Sequence, residues 1–358
     1  GLLSQFPCMR MEQASNRDEL IRRFAGSVDG IIYHTVQYCD NYAYEYAWLK
    51  EWLDRPMLLL ETDYTRQSSG QIRTRIEAFL ESLTPDIPQP KKTGKGDKTM
   101  YVMGIDSGST STNAVIMDQD RKIKAFSVVR TGAKSGVSAD RALKEVLEKA
   151  GLSREDISWI VSTGYGRVSI DFADENVTEI SCHGKGAHYF NPQIRTILDI
   201  GGQDSKAIHL NEKGEVKDFV MNDKCAAGTG RFLEMIARTL EVSLDELGAI
   251  ALTSTEKIEI TSMCSVFAES EVISLIANNK EKADIANGVC HAIANKAFGL
   301  LRRVGMEPDF MMTGGVAKNP GVVRAVEEKI GASLYICEEP EIVGAAGAAL
   351  YALEKCGF

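Results

Sequence analysis

Two short runs of small residues, each set between two apolar runs, constrain the fold of this chain more than any other feature. The first is GIDSGSTSTN at residues 104–113, and the second is DIGGQDSK at residues 199–206, about 95 positions further on. Glycines in a tight turn between strands let backbone N–H groups approach an anion closely. A strand–turn–strand unit that occurs twice predicts two α/β lobes related by an internal duplication, each with a phosphate-binding loop.

Hydroxyl and carboxylate side chains in both loops suit a nucleotide triphosphate and its metal ion. Asp106, Asp199 and Asp204 offer the oxygen ligands that Mg²⁺ takes, directly or through water. For either loop alone an ordinary hairpin turn remains an alternative, because such turns also favour Gly, Ser and Asp. The P-loop and dinucleotide-binding signatures are absent from the sequence. The residues predicted to contact the nucleotide here are Gly108, Ser109, Thr110, Ser111, Thr112, Gly201, Gly202 and Gln203.

A third turn of small residues follows the apolar run at residues 310–312. Its Gly314 and Gly315 offer bare backbone against which an adenosine could pack, and Glu341 lies in the small-residue helix predicted next. A close-packed structural helix explains that segment equally and is compatible with the same interpretation. Because all three loops occur in one sequence, three ordinary hairpin turns are a weaker explanation than one nucleotide site.

Taken in order, the three loops resemble the phosphate-1, phosphate-2 and adenosine motifs of the actin/sugar-kinase/Hsp70 superfamily. The resemblance implies an α/β fold of two lobes with ATP or ADP in the cleft between them. It assigns lobe I to about residues 100–195 plus a C-terminal helix at 343–356, and lobe II to about 196–342.

Three residues of the phosphate loops are candidates for the catalytic role of orienting the attacking water. They are Asp106, Gln203 and Asp204, and the sequence does not rank them. A small-molecule kinase and a nucleotide-gated binding module are the alternative functions that this superfamily leaves open.

Two cysteines stand in unusual surroundings, Cys225 in NDKCAAGTGRFLE and Cys264 in TSMCSVFAESE. Capping residues around both predict that each lies at a helix N-terminus, a position that lowers a thiol pKa. Two buried cysteines in small-residue turns are the alternative. Two thiolates cannot hold a four-iron cluster, but a two-fold dimer would supply four. The residues predicted to face inward on the two helices are Phe232, Ile236 and Leu240, then Phe267 and Ile273.

Both cysteine motifs closely resemble those of the activators of 2-hydroxyacyl-CoA dehydratases, whose relatives are the ATPase subunits of benzoyl-CoA reductase. The resemblance covers residues 100–358. It implies an ATPase with one [4Fe-4S] cluster per homodimer, bound by Cys225 and Cys264 as its metal ligands. It also implies ferredoxin or flavodoxin as the reductant and a dehydratase-type protein as the partner that receives single electrons.

The segment before this region is predicted to be separate, because residues 84–99 have the Pro, Gly and Lys content of a linker. Residues 1–83 alternate helix and strand patterns, which predicts a small parallel sheet. They resemble the C-terminal end of a dehydratase-type subunit, and this implies a fusion of partner and activator that is cut at its start. In that resemblance Cys39 matches one cluster ligand, and Cys8 is the candidate for a second. The alternative is that this segment is only a structural appendage.

Two helices of this first segment are predicted from their apolar spacing. The first helix is expected to have Tyr44, Trp48 and Leu49 on one stripe, and the second is expected to have Ile72, Ile76 and Leu80 facing inward.

Composition excludes several other functions. The formal net charge of −9 argues against a nucleic-acid or phospholipid surface as the main partner. No apolar run reaches the roughly 18 residues of a membrane span, and the start lacks the features of a secretory signal. We therefore expect a cytoplasmic protein with reduced thiols. Four cysteines are expected to be ordinary core or surface residues, and His183 and His188 match no zinc pattern; the four are Cys182, Cys290, Cys337 and Cys356.

Overall fold

The computed structural model describes residues 15–36, 39–63, 69–83, 99–223, 225–261 and 264–358. Contacts divide the chain into two units, Gly1–Asp86 and Ile87–Phe358. Cys8 and positions 84–98 of the predicted linker lie outside the described residues.

The first unit alternates helix and strand in the predicted order. Its strands β1 and β2 pair in parallel, with Ile31 opposite Met57, so the prediction of a parallel sheet is confirmed. Its elements are α1 (Ser15–Ala25), β1 (Ile31–Val36), α2 (Asp40–Trp52), β2 (Met57–Thr62) and α3 (Ser69–Leu83).

The stripe predicted on α2 is only partly buried. Leu49 is buried, but the side chains of Tyr44 and Trp48 are exposed. A polar residue, Glu45, is buried instead, because it accepts a hydrogen bond from the Tyr33 hydroxyl on β1. A satisfied polar pair thus displaces the apolar stripe that spacing alone predicted.

The predicted inward face of α3 is wrong for one of its three residues, since Ile72 and Ile76 are half-buried. Leu80 is exposed, whereas Thr74, Ala78 and Phe79 are buried. The small side chains at Thr74 and Ala78 lie on the inward side of α3, which contacts β2. The close packing of α3 against the two-stranded sheet therefore determines which of its residues are buried.

The second unit contains two five-stranded sheets with the same topology. In each, three antiparallel strands are followed by two strands that join in parallel on the other side, in the orders β5-β4-β3-β6-β7 and β10-β9-β8-β11-β12. This repeat confirms the internal duplication. The strands of the first sheet are β3 (Tyr101–Ser107), β4 (Ser111–Asp118), β5 (Ile123–Arg130), β6 (Ile157–Thr163) and β7 (Glu175–Asn176). Those of the second are β8 (Thr196–Ile200), β9 (Ser205–Leu210), β10 (Val216–Asn222), β11 (Phe310–Thr313) and β12 (Leu334–Tyr335).

Eight helices complete the described part of this unit, and none in the described residues is long and apolar enough to cross a bilayer. The last helix, α11, packs against β3, β4 and β6 of the first sheet. A Cβ at Gly104 on β3 would overlap the Ala345 carbonyl, so the small residues of this helix permit its close packing. The helices are α4 (Ser135–Ala150), α5 (Glu179–Phe190), α6 (Gly230–Thr239), α7 (Leu244–Ala251), α8 (Ser265–Ala277), α9 (Lys282–Val304), α10 (Pro320–Ile330) and α11 (Val343–Lys355).

Helix α5 contacts both lobes. On one side it packs against α11, and on the other it contacts β9 and β10 of the second sheet. A Cβ at Gly186 would overlap the Val343 carbonyl of α11, and one at Gly184 would lie 2.9 Å from the Val216 side chain on β10. The side chains of α5 therefore lie between the two sheets, where the predicted cleft is.

Helix α6 begins later than predicted. Thr229 occupies its N-cap position and Gly230 is its first residue, so Cys225 lies in the preceding loop and not at the helix N-terminus. Gly228 has a φ of +96°, which a right-handed helix does not contain, and this interrupts the segment after Cys225. The predicted stripe of Phe232, Ile236 and Leu240 on α6 is buried as expected.

Helix α8 begins where predicted but presents another face to the core. Cys264 is its N-cap residue. The inward prediction for Phe267 and Ile273 is wrong, since their side chains are 69% and 53% exposed. Ala268 and Val272 are buried instead, which leaves an apolar outer face on α8.

Candidate nucleotide site and cysteine loops

The two predicted phosphate loops meet across the cleft of the second unit. The first is the β3–β4 turn, closed by a hydrogen bond from Gly108 N to Ser111 O of 3.0 Å. The second is the β8–β9 turn, closed by one from Gly201 N to Asp204 O of 3.0 Å. A Cβ at Gly202 would overlap Thr110 Oγ1. The fold therefore brings together loops about 95 positions apart in the sequence.

Three hydroxyl oxygens at this junction are buried and have no hydrogen-bond partner in the described part of the chain: Ser107 Oγ, Thr110 Oγ1 and Thr163 Oγ1. Thr163 pairs with Asp106 across β6 and β3, so all three lie around the first loop. A buried hydroxyl without a partner costs about 1–3 kcal/mol. Oxygens of a bound phosphate would satisfy these groups, so the site fits the predicted ligand.

Asp106 lies at the end of β3 and is nearly buried. A Cβ at Gly344, near the start of α11, would overlap Asp106 Oδ2. Among the other candidates for orienting water, Asp204 is partly buried and Gln203 is exposed at the tip of the second loop. The structure thus brings the three candidates to the same cleft in different environments.

His183 on α5 lies between the aspartates of the two lobes. Its Nε2 is 3.7 Å from Asp106 Oδ2, and its Nδ1 is 3.8 Å from Asp199 Oδ1. Thr313 Oγ1 donates to Asp199 Oδ1 at 2.9 Å and lies 3.4 Å from His183 Nδ1. Burial by itself would lower the pKa of His183, but the Asp199 and Asp106 carboxylates outweigh it and raise that pKa.

Lys206, on β9, is a buried cation surrounded by three carboxylates. Its Nζ is 2.7 Å from Asp204 Oδ2, 3.2 Å from Asp199 Oδ2 and 3.6 Å from Glu179 Oε1. Burial opposes the charged amine, but these carboxylates raise the pKa of Lys206 well above its ordinary value. For Asp199, burial raises the pKa, yet His183, Lys206 and the Thr313 hydrogen bond together lower it to about 2. Asp199 and Lys206 are therefore charged partners at neutral pH.

The third loop adjoins the first. Gly314 N donates to Pro340 O at 3.0 Å, and Asn113 Nδ2 on β4 donates to Glu341 O at 2.9 Å. A Cβ at Gly315 would lie 3.6 Å from Glu341 Oε1, so this glycine faces the glutamate. Lys318 Nζ is 3.1 Å from the same carboxylate. The predicted adenosine residues therefore form one group beside the phosphate loops.

The two unusual cysteines are the accessible thiols of the second lobe's described residues. Cys264 is exposed and Cys225 half-buried. Lys296 Nζ on α9 lies 4.0 Å from Cys225 Sγ, and Asn222 Nδ2 donates to Cys225 O at 3.2 Å. No group of three or more His, Cys, Asp or Glu within the described ranges is placed to hold a metal ion. Within the described residues, Cys225 and Cys264 of one chain therefore form no complete metal site by themselves.

The expectation for the remaining cysteines holds for those in the core. Cys182, Cys290 and Cys337 are buried. Burial raises the pKa of the Cys290 thiol to about 12 and that of Cys337 to about 11. These thiols remain protonated at neutral pH.

The start of α6 is bonded directly to the second phosphate loop. Gly230 N donates to Gly201 O and Arg231 N donates to Gly202 O, both at 2.9 Å. The loop that contains Cys225 immediately precedes these residues. These two hydrogen bonds join the second phosphate loop to the start of α6.

A family model described as the BadF/BadG/BcrA/BcrD ATPase family matches residues 103–352. The chain belongs to the BadF/BadG/BcrA/BcrD ATPase family. A second model, described as the D-component of 2-hydroxyglutaryl-CoA dehydratase, matches residues 1–83. The predicted resemblances of both segments are thereby confirmed.

Named relatives and solved structures support the same assignment. The chain is 51% identical to the activator of lactoyl-CoA dehydratase from Anaerotignum propionicum, over 71% of this chain and 98% of that protein. The activator of 2-hydroxyisocaproyl-CoA dehydratase from Clostridium difficile, solved with bound ADPNP, has a TM-score of 0.70 and 43% identity, covering 72% of this chain and 96% of that one. Component A of (R)-2-hydroxyglutaryl-CoA dehydratase from Acidaminococcus fermentans has the same TM-score and identity, covering 72% and 100%. The predicted α/β fold is confirmed.

Three residues at the base of this ATPase cleft were missed by sequence reasoning: Glu179, His183 and Lys206. Glu179 and His183 are four positions apart on α5, so they share one face of a helix whose other residues are mostly buried. Two ionisable residues with this spacing inside an apolar helix are the signal that could have found them. Lys206 ends the DIGGQDSK run, and no spacing in the sequence distinguishes it there.

Proposed function

We propose that this chain is an ATP-hydrolysing [4Fe-4S] protein that donates single low-potential electrons to a 2-hydroxyacyl-CoA dehydratase or a related cluster enzyme. Its relatives' names as dehydratase activators support the partner class. The observation that carries the proposal is the pair of hydrogen bonds from Gly230 and Arg231 to the second phosphate loop. They join the nucleotide cleft to the segment that contains Cys225.

ATP binds across the cleft in this proposal. Its phosphates lie between the two loops, where the unpaired hydroxyls of Ser107 and Thr110 donate hydrogen bonds to them. Its adenosine packs against Gly314 and Gly315. Asp106 and Asp204 would hold Mg²⁺, directly or through water, and these two residues or Gln203 orient the attacking water.

Closure of the lobes on the triphosphate supplies the conformational step. The γ-phosphate is bound by both loops only when the cleft is closed, so ATP favours the closed state over the open one. The second loop moves with its lobe, and the bonds from Gly230 and Arg231 move the start of α6 with it. Cys225 is fixed to the end of β10 by the Asn222 side chain, so its loop is bent between two anchored ends. Hydrolysis removes the γ-phosphate and lets the lobes reopen.

Cys225 and Cys264 are the residues that would hold the cluster. Their accessibility fits ligands supplied from a protein surface, and two chains related by a two-fold axis provide the four thiolates required. Bound there, a [4Fe-4S] cluster supplies the storage and release of one electron. The outer face of α8 supports a homodimer, because Val266, Phe267 and Ile273 are exposed on the helix that Cys264 caps.

The remaining parts of the proposal concern the partners and location. Ferredoxin or flavodoxin serves as the reductant in the cytoplasm, and a dehydratase-type protein receives the electron. Residues 1–83 are similar to a dehydratase component, which supports this partner class. Cys39 is a half-buried thiol at the residue before α2, and a ligand role for it is a further part of the proposal.

Iron analysis and EPR of anaerobically purified protein test the cluster. About four irons per two chains and a reduced-cluster EPR signal are expected, and Cys225→Ser and Cys264→Ser should each lose both. Cys356→Ser is the matched control, because Cys356 is a half-buried thiol at the end of α11 that is not a proposed ligand. An anaerobic dimer that hydrolyses ATP but is colourless and iron-free would contradict the redox role.

ATP turnover measured with different additions separates the alternatives. Turnover that rises with a sugar or amino sugar, and not with a dehydratase-type protein, would favour a small-molecule kinase. Negligible turnover with every partner would favour a nucleotide-gated binding module.

A further inference from the structure

We propose that His183 is a positioning residue for ATP hydrolysis, which bridges the aspartates of the two phosphate loops and so couples their alignment. The inference rests on the proposed hydrolysis of ATP in this cleft. His183 is on neither phosphate loop; it projects from α5, the helix that contacts both lobes.

The bridge is formed by both nitrogens of one ring. Nε2 is 3.7 Å from Asp106 Oδ2 at the end of β3, and Nδ1 is 3.8 Å from Asp199 Oδ1 on β8. All three residues are buried, since His183, Asp106 and Asp199 are 5%, 8% and 3% exposed. Within the described ranges, His183 is the group that contacts both the Asp106 carboxylate on β3 and the Asp199 carboxylate on β8.

Close packing fixes the ring in this position. A Cβ at Gly344 would overlap Asp106 Oδ2 and lie 2.9 Å from His183 Nε2, so the start of α11 covers the contact. The α5 backbone is equally confined, because a Cβ at Gly186 would overlap the Val343 carbonyl. Loss of the ring would leave space that neither backbone can fill, and the two carboxylates would lose their common partner.

The neighbouring charges make the two contacts unequal. Asp199 keeps Lys206 at 3.2 Å and the Thr313 hydroxyl at 2.9 Å, so it remains bonded without His183. Asp106, by contrast, has its ion-pair contact among the described residues with His183. Removal of His183 should therefore displace Asp106 more than Asp199 and disturb the relation between the lobes, while the contacts to adenosine remain.

Steady-state ATP hydrolysis by the full chain tests the bridge, with kcat expressed per ADP-binding site counted by equilibrium binding. For His183→Ala we expect kcat to fall on the order of 10²-fold, as for an active group misplaced by about 1 Å. KM for ATP should change less than about threefold, because ground-state contacts persist. His188→Ala is the matched control on the same helix; His188 contacts the Gly214 turn, and wild-type kcat is expected.

Two conservative variants test the two contacts of His183 separately. The amide of His183→Asn reaches the place of Nδ1 near Asp199, and that of His183→Gln reaches the place of Nε2 near Asp106. The kcat of each variant should remain at least about tenfold below the wild-type value, because each variant keeps only one of the two contacts. In a cycle with Asp106→Asn, the double variant should lose little more than the worse single variant.

The outcomes separate the two proposals. A wild-type chain without ATP turnover overturns the proposed function and this inference with it. If the wild-type chain hydrolyses ATP, three results would each overturn the bridge only. They are a kcat of His183→Ala within about twofold of wild type, full rescue of kcat by Asn or by Gln alone, and additive losses in the cycle. A purely structural role predicts fewer ADP-binding sites and a lower melting temperature with kcat per site unchanged, which also overturns it.

Discussion

Gly202 of the second phosphate loop lies so close to Thr110 of the first that a Cβ added to it would overlap the threonine Oγ1. The two lobes therefore touch through the loops that are proposed to hold the triphosphate. Only a residue without a side chain permits this contact, so the contact between the loops, and not the turn alone, requires the glycine.

Gly202→Ala should prevent this closed arrangement. We expect kcat for ATP hydrolysis to fall by about tenfold or more, since the two loops can no longer approach a common phosphate. Melting temperature should change little, because the lobes can remain slightly open. Gly299→Ala is the matched control, since a Cβ there would meet no atom within 4 Å. Equal ATP turnover in the two variants would contradict the role of the contact.

Much of the second unit could be predicted because its signals are local. Apolar runs bounded by Gly, Ser and Asp define β3, β4, β8 and β9 and the turns between them, and the order of the loops identifies the fold. The start of α6 was misplaced because one glycine at positive φ, Gly228, outweighs the capping pattern around Cys225.

What could not be predicted depends on contacts between distant segments. Phe267 follows the apolar spacing of a core residue but is exposed on α8, and spacing does not reveal whether an apolar face meets the core or another molecule. Lys206 and Glu179 are 27 positions apart, and only the fold shows that they form an ion pair at 3.6 Å. This ion pair is therefore a property of the tertiary structure and not of the local sequence.

Replacement of Lys206 should destabilise the protein strongly. Lys206→Met removes the cation between Asp199, Asp204 and Glu179, and an uncompensated buried charge typically costs about 3–5 kcal/mol. The free energy of unfolding in urea measures this. Lys149→Met removes a half-exposed pair with Glu145, so it should cost under about 1 kcal/mol. Comparable losses in the two variants would show that the Lys206 cluster is not a compensated buried network.

Acid should remove the stabilisation that Asp199 contributes. Its folded-state pKa of about 2 is below the ordinary value of 3.8. The contribution is therefore fully present above pH 3.8 and disappears as pH falls through about 2. The shift corresponds to about 2 kcal/mol. The difference in unfolding free energy between wild type and Asp199→Asn should shrink by about this amount across that window. A difference that stays constant would mean that the carboxylate is not held in its charged form.

Cysteine labelling should separate the proposed ligands from the core thiols. With metal-free reduced protein and limiting iodoacetamide near neutral pH, we expect Cys264 to react before Cys225, because Cys264 is exposed and Cys225 is half-buried. Cys290 should react only after unfolding, since burial raises its pKa to about 12 and the thiolate is the reacting form. Peptide mass spectrometry gives the order. After reconstitution with iron and sulfide, Cys225 and Cys264 should be protected while labelling of Cys356 is unchanged. Continued labelling of Cys264 in iron-loaded protein would exclude it as a ligand, whatever the ATPase activity of that sample.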